Sequence, residues 1–245
     1  MKKIFGIIHF ILYLIYMVII SIPKSKRLQK KGLVIENRIY TNKITKKVCD
    51  ILIKATGSSI EVHGLENIPE DGAVLFVSNH QGYFDIPVLL VSIPKTLSFL
   101  AKIELKSWPI IGKWVDHIEG VYIDRQDIRQ SLRAINSTAE KLKSGQSMVI
   151  FPEGTRSKSR ELNPFKPGSL RAAQKANVPI IPITIDGTYK ILEGSKKKLA
   201  PANVKLYIGK PIESNQKIEG SFKSKDLMPE IYNEIKNNLQ KISHY

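Results

Sequence analysis

The residues best suited to chemistry fall in three short stretches. NHQGYFD, residues 79–85, places His80 five positions before Asp85. A neutral imidazole accepts a proton near pH 7. It works best when a carboxylate holds its other nitrogen, fixes the tautomer and stabilises the imidazolium. A tight loop can bring a carboxylate at this spacing back to the ring. The same spacing suits a plain loop whose aspartate caps the next helix, and the two readings are compatible. GVYIDR, residues 120–125, ends in Arg125, and FPEGTR, residues 151–156, ends in Arg156. Guanidinium forks grip phosphate in a bidentate way, although each arginine alone also reads as a solvated surface charge. In the second stretch Glu153 could accept from substrate hydroxyls. Gly154 permits close backbone approach or simply a turn.

No serine or cysteine nucleophile is visible. GxSxG is absent, and the single cysteine, Cys49, sits in a helical pattern far upstream. A base at His80 would therefore deprotonate a substrate hydroxyl directly. No CxxC or clustered Cys/His spacing suggests a metal.

These stretches need a scaffold that brings them together. Apolar runs at 73–78, 96–102, 120–124, 147–151, 178–185 and 203–209 predict strands, with one more near residue 60. Residues 86–93 predict a helix with Pro87 in its first turn. Ile128, Leu132, Ile135, Ala139 and Leu142 recur at helical spacing in 126–143, and Gly145 follows. Residues 46–57 read as an amphipathic helix stopping at Gly57, and Leu227, Ile231, Ile235 and Leu239 mark a C-terminal one. The alternation predicts an α/β fold, a largely parallel mixed sheet covered by helices. Ligands collect at the carboxyl ends of the strands in such sheets. His80, Arg125 and the FPEGTR loop each follow a predicted strand, so one rim should carry all three. VPIIPI, residues 178–183, reads as an edge or irregular core strand because of its two prolines, and as one wall of an apolar pocket.

The chain of 245 residues suits one sizeable domain plus appendages, and a single cysteine fits a reducing compartment. Lys and Arg number 38 against 22 Asp and Glu, a net charge of +16. Such a chain is drawn to polyanions, either nucleic acid or an anionic membrane. Residues 4–22, IFGIIHFILYLIYMVIISI, carry no formal charge with His9 neutral. As a helix they would span roughly 28 Å, close to the bilayer hydrocarbon thickness. No small-x-small cleavage site follows. The basic flank of Lys24, Lys26, Arg27, Lys30 and Lys31 outweighs Lys2 and Lys3, which points the rest of the chain into the cytoplasm. The expectation is a membrane-anchoring helical segment in the cell membrane, spanning it or, as Tyr13, Tyr16 and His9 allow, lying in its interface. A nucleic-acid partner lacks a recognition motif and leaves 4–22 unexplained. The expected division is an anchor and amphipathic helix over 1–57 and a catalytic domain over 58–245.

Taken in order, NHxxxxD at 79–85, GxxxxR at 120–125, FPEGTR at 151–156 and VPIIPI at 178–183 resemble the glycerolipid acyltransferase family. They look most like its bacterial-type 1-acylglycerol-3-phosphate acyltransferases, over about residues 60–210. The resemblance implies acyl transfer from acyl-CoA or acyl carrier protein to the 2-hydroxyl of lysophosphatidic acid, giving phosphatidic acid, with no metal or other cofactor. It implies His80 as base and Asp85 as its orienting acid. It implies Arg125 and Arg156 as phosphate contacts, and Glu153, Gly154 and Thr155 as part of a substrate-binding loop. Lys102, in AKIEL at 101–105, resembles a family lysine and is implied as a further phosphate contact. Tyr122 stands where the family usually has Phe, which keeps the aromatic body. The alternatives are another acceptor, such as glycerol-3-phosphate or an amine-headgroup lyso-lipid, and a membrane lipid-binding protein without turnover.

Overall fold

A computed structural model describes residues 12, 13, 15–194, 198–215 and 224–242. Among them, seven strands form one sheet: β1 Ser59–His63, β2 Leu75–Ser78, β3 Leu97–Lys102, β4 Val121–Ile123, β5 Ser147–Ile150, β6 Ile180–Asp186 and β7 Asn203–Ile208. Their order is β1-β7-β6-β2-β5-β3-β4. Every neighbouring pair is parallel except β6 with β7. The helices are α1 Ile22–Lys30, α2 Val34–Thr56, α3 Asp85–Ser92, α4 Ile111–His117, α5 Ile128–Lys143, α6 Arg171–Ala176 and α7 Ser224–Ile242.

Helices cover both faces, so the central strands β2, β5 and β6 are buried end to end. That is why they read as continuous apolar runs rather than as alternations. Phe76, Val149 and Ile181 pack on one face with Cys49 and Ile53 of α2 and Val88 and Leu89 of α3. Leu75, Val77, Met148 and Ile180 pack on the other with Ala134 and Leu142 of α5 and Ile231 and Ile235 of α7.

Three expectations need correction. Of the two readings of VPIIPI the edge strand fails and the irregular core strand holds: its last four residues, from Ile180, open β6, which is fully buried between β2 and β7. Pro182 is tolerated because it falls between the Ile180–Ile212 bridge and the Ile183–Ile208 pair, where the ladder is interrupted. Its carbonyl still accepts from Gly209 N–H at 2.8 Å. Secondly, Ile128 and Leu132 do not face the sheet; they are 79% and 45% exposed. The buried stripe of α5 is small instead, Ala134, Thr138, Ala139 and Leu142. Thirdly, α2 begins at Val34, twelve residues before the expected start. Its first half hides Asn37, Arg38, Thr41 and Thr45 and exposes Val34, Ile35 and Ile39. The usual inward-apolar pattern is reversed there, which masked the helix.

Much of the expected anchor, residues 4–11 and 14, lies outside the described residues. Among the described residues no helix is long and apolar enough to cross a membrane. A π-helical turn, Met17–Ser21, leads into α1. Besides the apolar packing of α2, polar contacts of Ser21 and Arg38 tie this N-terminal part to the sheet domain. Ser21 Oγ lies 3.1 Å from Nε2 of buried His117. Arg38 forks onto Glu119, with Nη2 and Nε each 3.2 Å from Oε2, and donates to the Ser144 carbonyl at 2.7 Å.

Candidate active site

The loop after β2 carries His80 and ends where α3 begins at Asp85. Asn79 fixes its start, since its side-chain amide donates to the Ile185 carbonyl at 2.9 Å and accepts from the Ile185 N–H at 2.8 Å. This pairs the loop with β6 like one more strand residue. The turn then returns the Asp85 carboxylate to the ring: Oδ2 accepts from His80 Nδ1 at 2.6 Å and from Gly82 N–H at 2.9 Å. Oδ1 accepts from the Thr188 hydroxyl. Asp85 is fully buried, and its side chain caps no helix N–H. A carboxylate on Nδ1–H leaves the Nε2 lone pair free to accept a proton. Phe151 lies flat on the imidazole, with centroids 4.0 Å apart and planes at 16°.

Phe151 also lines a cleft of about 180 Å³ between the sheet and α5. Leu100, Ile123, Ile135 and Ile150 make its inner wall, and Arg125, Gly154 and Lys166 stand at its polar end. No residue of β6 lines it, so the expected role of VPIIPI as a pocket wall is not seen there. Burial holds the Arg125 guanidinium below its usual range, partly offset by the Glu104 carboxylate.

The structure thus brings His80, Asp85, Arg125 and Gly154 to one rim. It engages the other candidates differently. Arg156 pairs with the buried Glu193 carboxylate at 3.0 Å and stacks 3.5 Å over the Tyr83 ring. Lys102 is exposed and pairs with Glu104 at 2.6 Å. Glu153 is buried, and both its oxygens accept from backbone, Oε1 from His80 N–H at 2.6 Å and Oε2 from Asn163 N–H at 3.0 Å. It staples the His80 loop to the 151–166 segment, and that occupies the oxygens expected to meet substrate hydroxyls. Burial pushes its carboxyl up, against the pull of those two N–H groups. Thr155 is exposed. Among the described residues no group of three or more His, Cys, Asp or Glu could hold a metal.

Sequence reasoning missed Thr188, Glu193 and Lys166. Thr188 follows β6 directly, so the rim rule that found Arg125 applies to it as well. Lys166 stands in FKPG, ten residues past FPEGTR, in a loop with no strand to flag it.

A histidine–carboxylate couple at the carboxyl rim of an α/β sheet, opening on an apolar cleft, defines a site for general-base chemistry on a hydrophobic substrate. A family model described as Acyltransferase matches residues 59–186, more than half of the chain, and the chain belongs to that family. It is 41% identical over 160 residues to the chloroplastic 1-acyl-sn-glycerol-3-phosphate acyltransferase of Arabidopsis thaliana, covering 64% of this chain and 44% of that protein. It is 30% identical to the 1-acyl-sn-glycerol-3-phosphate acyltransferase of Helicobacter pylori, covering 82% of this chain and 81% of that one. The crystal structure of the 1-acyl-sn-glycerophosphate acyltransferase PlsC from Thermotoga maritima superposes with a TM-score of 0.75 at 28% identity, covering 100% of this chain and 99% of that one. The match spans less than half the length of the two chloroplastic relatives at 41% identity.

Proposed function

We propose that the protein transfers a fatty acyl group from acyl-CoA or acyl carrier protein to the 2-hydroxyl of lysophosphatidic acid, producing phosphatidic acid. The observation that carries this reading is the His80–Asp85 pair at 2.6 Å, beside an apolar cleft with Arg125 at its polar end. The printed names of the relatives support the same substrate class.

In this reading His80 Nε2 removes the proton of the 2-hydroxyl as its oxygen attacks the thioester carbonyl. The ester C–O bond forms, the C–S bond breaks, and the proton leaves His80 with the departing thiol. A thiolate is a weak base and departs without a strong acid, so one histidine–aspartate pair serves both halves of the reaction. Arg125 anchors the acceptor phosphate, which makes the attack effectively intramolecular. The apolar wall of the cleft faces the acyl chain. Backbone N–H groups of the rim loops stabilise the oxyanion. No step needs a metal, so a chelator should leave the rate unchanged.

The same reading places the protein on the cytoplasmic face of the cell membrane, where acceptor and product reside. Exposed Leu12, Ile15, Ile19 and Ile20, with Val34, Ile35 and Ile39 of α2, support this, as does the basic run of α1.

The deciding experiment incubates the protein with both donor types and a panel of lyso-acceptors, and identifies products by mass spectrometry. Phosphatidic acid should dominate, and His80→Ala should abolish it while circular dichroism stays native. Turnover surviving in His80→Ala would remove the base from the mechanism.

A further inference from the structure

Gly154 has a left-handed backbone, φ +78°, and no side chain. A methyl placed on it would lie 3.1 Å from Lys166 Nζ and 3.3 Å from Arg125 Nη1. Two cationic ends therefore overhang one backbone position, at the polar end of the cleft lined by Phe151, whose ring stacks on His80. Their backbones hold them there. Lys166 N–H donates to the Pro152 carbonyl at 3.0 Å, inside the FPEG turn, and Arg125 follows β4 directly. Among the described residues neither side chain has a carboxylate within ion-pair distance; Glu104 is taken by Lys102, and Glu193 by Arg156. Glu104 acts on Arg125 only from beyond ion-pair distance, so the two like charges still repel each other, and a shared anion relieves that repulsion.

We infer that Lys166 and Arg125, facing each other over Gly154, form a cradle for the doubly charged phosphate monoester of the acceptor, with Lys166 as its second cation. This rests on the proposed acyl transfer to a phosphate-bearing lyso-lipid and adds the residue that selects its headgroup. A monoester dianion satisfies both cations. A phosphodiester headgroup carries one charge, which matches only one of the two cations, and adds bulk beside them. The cradle also leaves Arg156 in its pair with Glu193, a division of labour that the arginine motifs alone do not suggest.

The test compares the full chain with Lys166→Met, Lys166→Arg and Arg125→Met, using lysophosphatidic acid and lysophosphatidylglycerol as acceptors. Lys166→Met should raise the acceptor KM by about tenfold to a hundredfold, the range for losing a charge-assisted contact. The donor KM should not change, which also reports that the variant is folded. Lys166→Arg should recover most of the loss, and preference for the monoester over the diester should shrink in Lys166→Met. An acceptor KM unchanged in Lys166→Met but raised in Arg125→Met would overturn the cradle and leave the acyl transfer standing. Wild-type protein that acylates neither acceptor would remove the acyl transfer itself. In that case inorganic phosphate still tests the cradle: it should shield Lys166 from acylation by an N-hydroxysuccinimide ester in wild type but not in Arg125→Met. Equal labelling in both would overturn the cradle on its own.

Discussion

Asp85, the proposed orienting acid, shows how much of such a residue's behaviour is set by its neighbours. Three donors converge on its buried carboxylate, from His80, Gly82 and Thr188. Together they fix its direction, and its hydrogen bond to Nδ1 fixes the orientation of the imidazole in turn. Replacing Asp85 with Asn should favour the wrong tautomer and lower kcat by about three orders of magnitude or more, as in other histidine–aspartate couples. Thr188→Val keeps volume and removes one hydrogen bond. We expect kcat to fall about tenfold with both KM values unchanged, and steady-state kinetics would reject a positioning role if KM moved instead. Cys49 is the opposite case, a group silenced by its surroundings. Burial pushes its thiol up to about 12. It should resist maleimide at pH 8 in the native protein and react fully after denaturation, as followed by intact mass.

Between elements, two contacts of the N-terminal helices invite measurement. Glu119 sits at φ 58° and receives Arg38 from α2 and Lys141 from α5. Burial alone would raise its pKa, but the two cations outweigh that and hold it below the usual carboxylate range. Arg38→Ala would leave a buried carboxylate with half its partners, at a cost of about 3 kcal/mol, readable as a lower denaturation midpoint. His117 meets Ser21 and is held near 4 by burial. Its folded pKa lies below the unfolded value of about 6.5. The unfolded chain therefore binds the proton more readily, and the contribution is full above pH 6.5 and drains away as pH falls towards 4. Denaturant midpoints should drop across that window in wild type and drop less in His117→Gln. Elements with inward apolar residues were easy to read in the sequence: every core strand and the Leu227–Leu239 stripe lie where their periodicity puts them. What periodicity hid was governed by something other than apolar burial. The first half of α2 turns threonines and Arg38 inward, α5 packs through alanines rather than through Ile128 and Leu132, and β6 keeps Pro182 in a central strand because its ladder breaks there.

For the whole molecule, the rim rule worked because a parallel sheet sends each strand's exit to the same edge. His80, Arg125 and Gly154 could be placed together from sequence for that reason. The partners of Arg156 and Glu153 could not, because Glu193 and Asn163 reach them through loops whose paths no local pattern encodes. The reversed polarity of α2 belongs to this scale too. Its outward Ile35 and Ile39 are exposed, as are Leu12, Ile15, Ile19 and Ile20. Ile35→Glu with Ile39→Glu should weaken co-sedimentation with anionic vesicles several-fold without altering the thermal midpoint. Vesicle binding left intact would assign attachment to other parts of the chain.

The same helix also bears on how the protein could be shortened for handling in water. Its last turns are not packaging: Cys49 and Ile53 fill the layer over Phe76 and Val88. Cutting at Gly57, the obvious hinge, would peel a lid off that layer and yield a sticky, clumping product rather than a tidy soluble enzyme. A trimmed version has to keep α2 from Arg38 onward, and with it the oily side that made trimming attractive.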